Sequence, residues 1–94
     1  MEAKEYRAEI LAGGLVQGVG FRYYVYRNAV QLGLKGYTKN LYTGEVLTVV
    51  EGEKHLIEDL FQRIKIGPSY ADVRKHSIKW SESKNEFKAF EVGY

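Results

Sequence analysis

Arg22 ends a glycine-rich stretch, GLVQGVGFR, which begins at Gly14 and holds three glycines in nine residues. Glycine loses much conformational freedom on folding, so this density indicates a backbone shape that other residues resist. Before a helix, such a loop can turn successive N–H groups toward an anion, and the helix N-terminus adds partial positive charge. The planar guanidinium of Arg22 suits phosphate oxygens. The stretch is therefore either an anion cradle or a tight turn followed by a solvated arginine.

The nucleotide-binding P-loop is one class of anion site that a glycine-rich stretch before a helix could form. A nucleotide-binding P-loop ends in lysine followed by serine or threonine, whereas Phe21 and Arg22 stand here, so we set that class aside.

Asn40 is the second polar residue of interest. Its amide can orient water through hydrogen bonds but is a poor base, and asparagine is also common where a strand meets a turn.

The elements that must position these residues begin with a strand and a helix. Residues Glu5–Ala12 alternate polar and apolar types, which predicts a half-buried strand. After the glycine stretch, a helix is predicted that Gly33 ends as its C-terminal cap. Apolar residues recur along it at spacings of four, four and three, as on one helical face: Phe21, Val25, Ala29 and Leu32.

A hairpin and a second helix are predicted next. The segments LKGYTKNLY and EVLTVVEG carry the strand pattern, and Thr43-Gly44 forms the turn between them. The segment EKHLIEDLFQRIK predicts a helix that Gly67-Pro68 ends. Its apolar stripe consists of Ile57, Leu60, Phe61 and Ile64.

The remaining segments complete the fold prediction. ADVRKHSIKW predicts a strand with a bulge between Val73 and Ile78, and FKAFEVGY predicts a short last strand. The order βαββαβ predicts an α+β fold, the ferredoxin-like α/β sandwich, with an antiparallel sheet of four to five strands and both helices on one face. At 94 residues the chain has room for a single domain, residues 1–94. This fold hosts unrelated functions, so function must come from the site.

Composition narrows the function classes. The net charge of +2 is too balanced to argue for nucleic acid, and the absence of cysteine excludes disulfides and thiolate metal sites. His55 and His76 do not show metal-ligand spacing, so no metal site is predicted. No signal core or membrane-spanning run is present. We expect a cytoplasmic monomer with no nucleic-acid or membrane partner.

Two motifs together resemble the acylphosphatase family. The stretch from Gly14 to Arg22 fills each fixed position of the family signature Gly-x-Val-Gln-Gly-Val-x-Phe-Arg. The second signature is Gly-aromatic-small-x-Asn, three residues, Gly-x-Val, five residues, Gly, and GYTKNLYTGEVLTVVEG from Gly36 to Gly52 fits it. The motifs occur in the family's order and cover about a quarter of the chain.

The resemblance implies hydrolysis of the carboxyl–phosphate bond of small acyl phosphates to carboxylate and inorganic phosphate, with no metal or other cofactor. It implies that Arg22 and Asn40 are catalytic, Arg22 on the phosphate and Asn40 on the attacking water. The implied phosphate-binding loop comprises Gln17, Gly18, Val19, Gly20, Phe21 and Arg22. Such an enzyme needs no general acid because the leaving carboxylate is a stable anion, and phosphoryl transfer depends mainly on positioning and charge stabilisation.

Two positions depart from the family pattern. Leu15 stands where a basic residue is common, which predicts weaker attraction of anionic substrate, and Thr38 replaces a small apolar residue, which predicts altered packing behind the site. The C-terminal FEVGY suggests a further contact, in which the Tyr94 carboxylate pairs with an arginine of the cradle.

Two other functions remain open from the sequence. An RNA-recognition motif also has this fold, and KGYTKNLY matches its strand signature at Lys35, Gly36, Tyr37 and Tyr42. The match fails at the middle positions, and it falls on the second strand instead of the third. The set of strand aromatic residues on which RNA bases would stack is therefore incomplete. The other alternative is a catalytically silent anion-binding domain, which intact Arg22 and Asn40 argue against.

Overall fold

A computed structural model describes residues 4–93 and shows five strands and two helices in those residues. Both helices pack on one face of a sheet whose strand order is β4-β1-β3-β2-β5. This arrangement confirms the predicted ferredoxin-like α+β fold. The elements are β1 (Glu5–Leu15), α1 (Phe21–Gln31), β2 (Lys35–Asn40), β3 (Val46–Glu53), α2 (Lys54–Ile66), β4 (Asp72–Glu82) and β5 (Phe90–Val92).

The core lies between the sheet and the helices because one side of each strand is apolar. Strand β1 buries alternate residues, and they pair across to β3 as Ala8 with Val50, Ile10 with Thr48, and Ala12 with Val46. Helices α1 and α2 pack on this apolar face of the sheet through the apolar residues that the helical spacing predicted. The buried helical residues are Phe21, Val25, Ala29, Ile57, Leu60 and Ile64, while Leu32 and Phe61 are partly buried.

The ends of α1 and the start of β4 follow the sequence expectations. At the C-terminus of α1, the Gly33 N–H donates to the Val30 carbonyl and the Leu34 N–H donates to the Ala29 carbonyl, which is the Schellman arrangement. The predicted bulge appears as a register shift where Gly13 and Gly14 of β1 pair with β4. Strand β1 therefore extends to Leu15, and Gly14 belongs to the strand.

One strand differs from an all-antiparallel sheet. Strand β5 pairs with β2 in parallel, whereas the other four strands pair antiparallel. Strands β4 and β2 run in opposite directions, so a chain that reverses after β4 and reaches the far edge must run parallel to β2. Residues 83–89 make this crossing on the sheet face away from the helices, where the Lys84 and Glu86 N–H groups donate to the Glu51 carboxylate.

Candidate active site

The loop between β1 and α1 has the backbone shape that its glycines permit. Gly18 and Gly20 adopt φ angles of 75° and 76°, in the left-handed region that favours glycine. Gly20 is the N-cap of α1, and no side chain caps that helix end. The first N–H groups of α1 have no acceptor within the helix, so the turn at Phe21 offers main-chain donors and partial positive charge.

This helix end opens into a cleft of about 300 Å³, which we call the Arg22 cleft. The N-terminus of α1, the end of β2 and the last strand enclose it. Arg22 and Asn40, predicted from separate motifs, both line it. The residues among 4–93 that line it are Val16, Gly18, Gly20, Phe21, Arg22, Tyr23, Asn40 and Val92. The Arg22 guanidinium gives the lining a positive charge, and none of its described residues carries a carboxylate, an arrangement that suits an anion.

Asn40 is the last residue of β2, and its backbone pairs with Val46 of β3. Within residues 4–93, its Oδ1 atom is buried and accepts no hydrogen bond. Leaving a buried acceptor unsatisfied costs about 1–3 kcal/mol, and such groups in native proteins call for a specific explanation. Asn40 also lines the Arg22 cleft, so this unsatisfied oxygen belongs to a residue of the candidate site.

The C-terminal strand positions Arg22. Its Nη1 donates a hydrogen bond of 2.6 Å to the Gly93 carbonyl, and the Gly93 N–H donates one of 2.7 Å to the Thr38 carbonyl of β2. The C-terminal segment FEVGY thus reaches the cradle through Gly93, a residue that the sequence pattern does not single out. No local pattern signals this contact, because it joins residues 71 positions apart. Tyr94 lies outside the described residues.

The remaining residues of the expected phosphate loop have different surroundings. The Gln17 side chain points to the β2–β3 turn, where Nε2 donates to the carbonyls of Leu41 and Glu45 at 2.9 and 3.0 Å. Val19 is partly buried against the core. The Gln17 amide therefore ties the loop to the turn that follows Asn40. Both hydrogens of Nε2 are used in this way, so toward an anion Gln17 can donate only its main-chain N–H.

The two departures from the family pattern lie at different depths. Leu15 is 54% exposed at the end of β1 and does not line the Arg22 cleft. Thr38 is fully buried behind Asn40, and the Thr48 hydroxyl donates to its Oγ1 at 3.0 Å. The hydroxyl of Thr38 is thus satisfied inside the core.

Residues 4–93 contain neither a side-chain cluster suited to a metal ion nor a helix suited to crossing a membrane. Within this range, no group of three or more His, Cys, Asp or Glu side chains is placed to hold a metal ion. None of the helices described there has the length and apolar character needed to cross a membrane.

Comparison with known proteins decides the family. The sequence profile of the acylphosphatase family matches residues 8–92. The chain belongs to the acylphosphatase family. An acylphosphatase from Archaeoglobus fulgidus is 44% identical over 86 residues, which cover 92% of this chain and 96% of that protein. An acylphosphatase from Moorella thermoacetica is 41% identical over 80 residues, covering 85% of this chain and 86% of that one.

Solved acylphosphatase structures share the fold. The crystal structure of acylphosphatase from Bacillus subtilis matches with a TM-score of 0.91 and 31% identity, covering 95% of this chain and 99% of that chain. The function is therefore that of an acylphosphatase, a hydrolase of acyl phosphates. This assignment favours the enzyme over the RNA-binding interpretation. Tyr37, which that interpretation would use for stacking, packs edge-on against Phe87 at 5.8 Å between ring centres.

Proposed function

We propose that residues 1–94 form one acylphosphatase domain and that the reaction takes place in the Arg22 cleft without a metal ion or other cofactor. In this proposal the main-chain N–H groups of residues 17–22 and the Arg22 guanidinium bind the phosphate of a small acyl phosphate. Asn40 binds the attacking water. The observation that carries the proposal is the buried, unpartnered Oδ1 of Asn40 in the same cleft as Arg22.

Charge supports the assignment of the phosphate. The N-terminus of α1 contributes partial positive charge, and the first turn of the helix contains no acidic residue. Arg22 adds a full positive charge and a planar set of donors. Because these groups are held before substrate arrives, they can stabilise the transferring phosphoryl group without reorganising.

The reaction then needs one displacement at phosphorus. The water oxygen forms a bond to phosphorus as the bond from phosphorus to the carboxyl oxygen breaks, and the electron pair leaves with the carboxylate. One water proton passes to a phosphate oxygen, so the products are a carboxylate and inorganic phosphate. A carboxylate leaves without prior protonation, which is why the site requires no general acid.

Asn40 acts on the water by orientation. An amide is a poor base, but its carbonyl oxygen can accept a hydrogen bond from a water O–H and thereby direct a lone pair toward phosphorus. Holding the water and phosphate in line lowers the entropic part of the barrier.

Hydrolysis of benzoyl phosphate in excess EDTA tests this proposal. We expect turnover by the native protein and losses of roughly 10²–10³ in kcat/KM for Arg22→Ala and Asn40→Ala, comparable to removing an oxyanion-hole donor. Arg74→Ala removes an exposed arginine of β4 and should retain full activity. A folded native protein without turnover would instead support the silent anion-binding domain. Turnover only with added metal would contradict the cofactor-free mechanism.

We also propose that the enzyme works as a cytoplasmic monomer without nucleic-acid or membrane partners. The nearly balanced net charge of +2 supports the absence of a nucleic-acid partner. Light scattering at assay concentration should give the mass of one chain, and a stable dimer would contradict the monomer.

A further inference from the structure

A second groove lies next to the Arg22 cleft, on the side of α1 that faces the C-terminal end of α2. It has a volume of about 270 Å³ and shares Gly20 and Tyr23 with the cleft. Arg27 and Gln31 of α1 line one side, and Pro68 lies on the other. We call it the Arg27 groove. The two spaces are adjacent at Gly20 and Tyr23, and the Tyr23 side chain between them is exposed, so a molecule held in the cleft has a path past this ring to the groove.

The in-line geometry of phosphoryl transfer favours this groove as the place where the acyl group lies. This argument rests on the proposed roles of Arg22 and Asn40. In phosphoryl transfer, the attacking and leaving oxygens lie roughly in line on opposite sides of phosphorus. Asn40 lines the Arg22 cleft and a neighbouring pocket beside Lys39 and Tyr42, but it does not line the Arg27 groove. With water at the Asn40 end, the leaving group departs toward the Gly20–Tyr23 end.

The side chains of Tyr24, Asn28 and Gln31 line the groove and form hydrogen bonds to Arg63 of α2, which lies behind them. Arg63 pairs with Asp59 at 3.0 Å, and its Nη1 donates to the Asn28 Oδ1 at 3.0 Å and the Gln31 Oε1 at 3.4 Å. The Asn28 Nδ2 donates to the Tyr24 carbonyl at 2.8 Å. These side chains therefore hold α1 against α2 and are not the natural partners of a ligand.

Arg27 also lines the groove, but among the residues that the structure describes its charge is not used in such contacts. Within residues 4–93 it forms no ion pair with a carboxylate, and its guanidinium carbon lies 5.8 Å from the ring centre of Tyr23. Of the described residues that line the groove, none is acidic. Arg27 thus places an uncompensated positive charge beside the ring that joins the groove to the Arg22 cleft.

We propose that the Arg27 groove is the acyl subsite and that Arg27 makes the enzyme prefer acyl phosphates with a second negative charge on the acyl group. The monophosphates of dicarboxylic acids form this substrate class. The phosphate occupies the Arg22 cleft, the acyl chain passes Tyr23, and its distal carboxylate meets the Arg27 guanidinium. Arg27 acts on substrate choice and takes no part in bond breaking.

Two substrates of equal chain length isolate this effect. Succinyl phosphate carries a carboxylate where butyryl phosphate carries a methyl group. We expect native kcat/KM to favour succinyl phosphate and Arg27→Gln to reduce kcat/KM for it by about two- to fivefold, the range of an exposed ion pair, with no change for butyryl phosphate. The native preference should shrink at high ionic strength because salt screens exposed charges.

Lys39→Gln is the matched control, since it removes the cation beside the pocket at the Asn40 end. We expect it to leave the succinyl-to-butyryl ratio unchanged. The proposal is overturned if Lys39→Gln, and not Arg27→Gln, removes the preference, or if Arg27→Gln lowers both substrates equally. In those cases both substrates are still hydrolysed, so the proposed function stands. Hydrolysis of neither substrate by the native protein would overturn the proposed function and this subsite with it.

Discussion

The main chain of Gly93 connects Arg22 to Thr38 of β2, the strand that ends at Asn40. The Gly93 carbonyl accepts a hydrogen bond from Arg22 at 2.6 Å, and the Gly93 N–H donates to Thr38, two residues before Asn40 on β2. The last strand therefore sets the distance between the guanidinium and the end of β2. A guanidinium has five donors in a fixed plane, so it can keep this contact while it binds an anion.

Arg22→Lys should reduce kcat/KM for benzoyl phosphate by at least about tenfold, since an ammonium lacks the planar fork that binds phosphate bidentately. The charge is kept, so the loss should be smaller than for Arg22→Ala. Steady-state kinetics measures the effect, and thermal unfolding of both variants checks that the fold is intact. Full activity in Arg22→Lys would show that charge alone is sufficient.

Gln17→Glu should lower both stability and kcat. The substituted carboxylate cannot donate to the Leu41 and Glu45 carbonyls, and the lost contacts should cost about 1–3 kcal/mol in the free energy of unfolding. The turn after Asn40 would shift, so we expect kcat to fall more than KM rises. Urea unfolding and steady-state kinetics measure these effects. Gln62→Glu, on the exposed side of α2, should change neither quantity.

Gly20→Ala should destabilise the protein by about 1–2 kcal/mol, because L-residues other than glycine are strained at a φ of 76°. The added methyl group would also occupy space at the cleft, so activity should fall. Gly33→Ala is a matched control: Gly33 has a φ of 70° and lies past the other end of α1. We expect a similar loss of stability there with normal kinetics. Equal activity in the two variants would argue against a ligand at Gly20.

The ionisation of the Glu51 carboxyl group makes the free energy of unfolding depend on pH. Burial by itself would raise the pKa of this carboxyl group, but hydrogen bonds from the Lys84 N–H, the Arg7 guanidinium and the Glu86 N–H outweigh it. The pKa therefore lies below the ordinary value of 4.5. Since the folded state holds the charged form more strongly than the unfolded state does, this stabilisation is complete above pH 4.5 and is lost as pH falls through the folded pKa.

Glu51→Gln should accordingly be less stable than the native protein at neutral pH, and the difference should shrink below pH 4.5. Urea unfolding of both proteins over this pH range measures it. Glu58→Gln, at an exposed position of α2, should match the native protein throughout. A stability difference for Glu51→Gln that stays constant with pH would contradict the assigned ionisation.

The buried hydroxyls of Thr38 and Thr48 should behave as a pair. Either single change to valine leaves one buried hydroxyl without its 3.0 Å partner and should cost about 1–3 kcal/mol. The double variant removes both groups and should be more stable than the sum of the single effects predicts. Chemical unfolding of the four proteins completes the cycle, and additive losses would show that the hydroxyls act independently.

The amino-acid sequence alone was sufficient to predict the order of helices and strands, the buried face of each helix and the resemblance to the family. These features depend on local rules: a side-chain period fixes the buried stripe containing Ile57, and motif spacing identifies Arg22 and Asn40 as candidates. The bulge near Val73 was predicted in the same way, from a break in alternation.

Only the tertiary structure shows how these candidates are held. Gln17 contacts Leu41 across 24 positions and Arg22 contacts Gly93 across 71, and neither contact has a local sequence pattern. Both depend on strand order, since β5 reaches the site only by crossing to the edge beside β2. The burial of the Asn40 oxygen likewise comes from the packing of separate elements around the cleft. Periodicity reports which side of an element is apolar, whereas these contacts depend on which elements become neighbours.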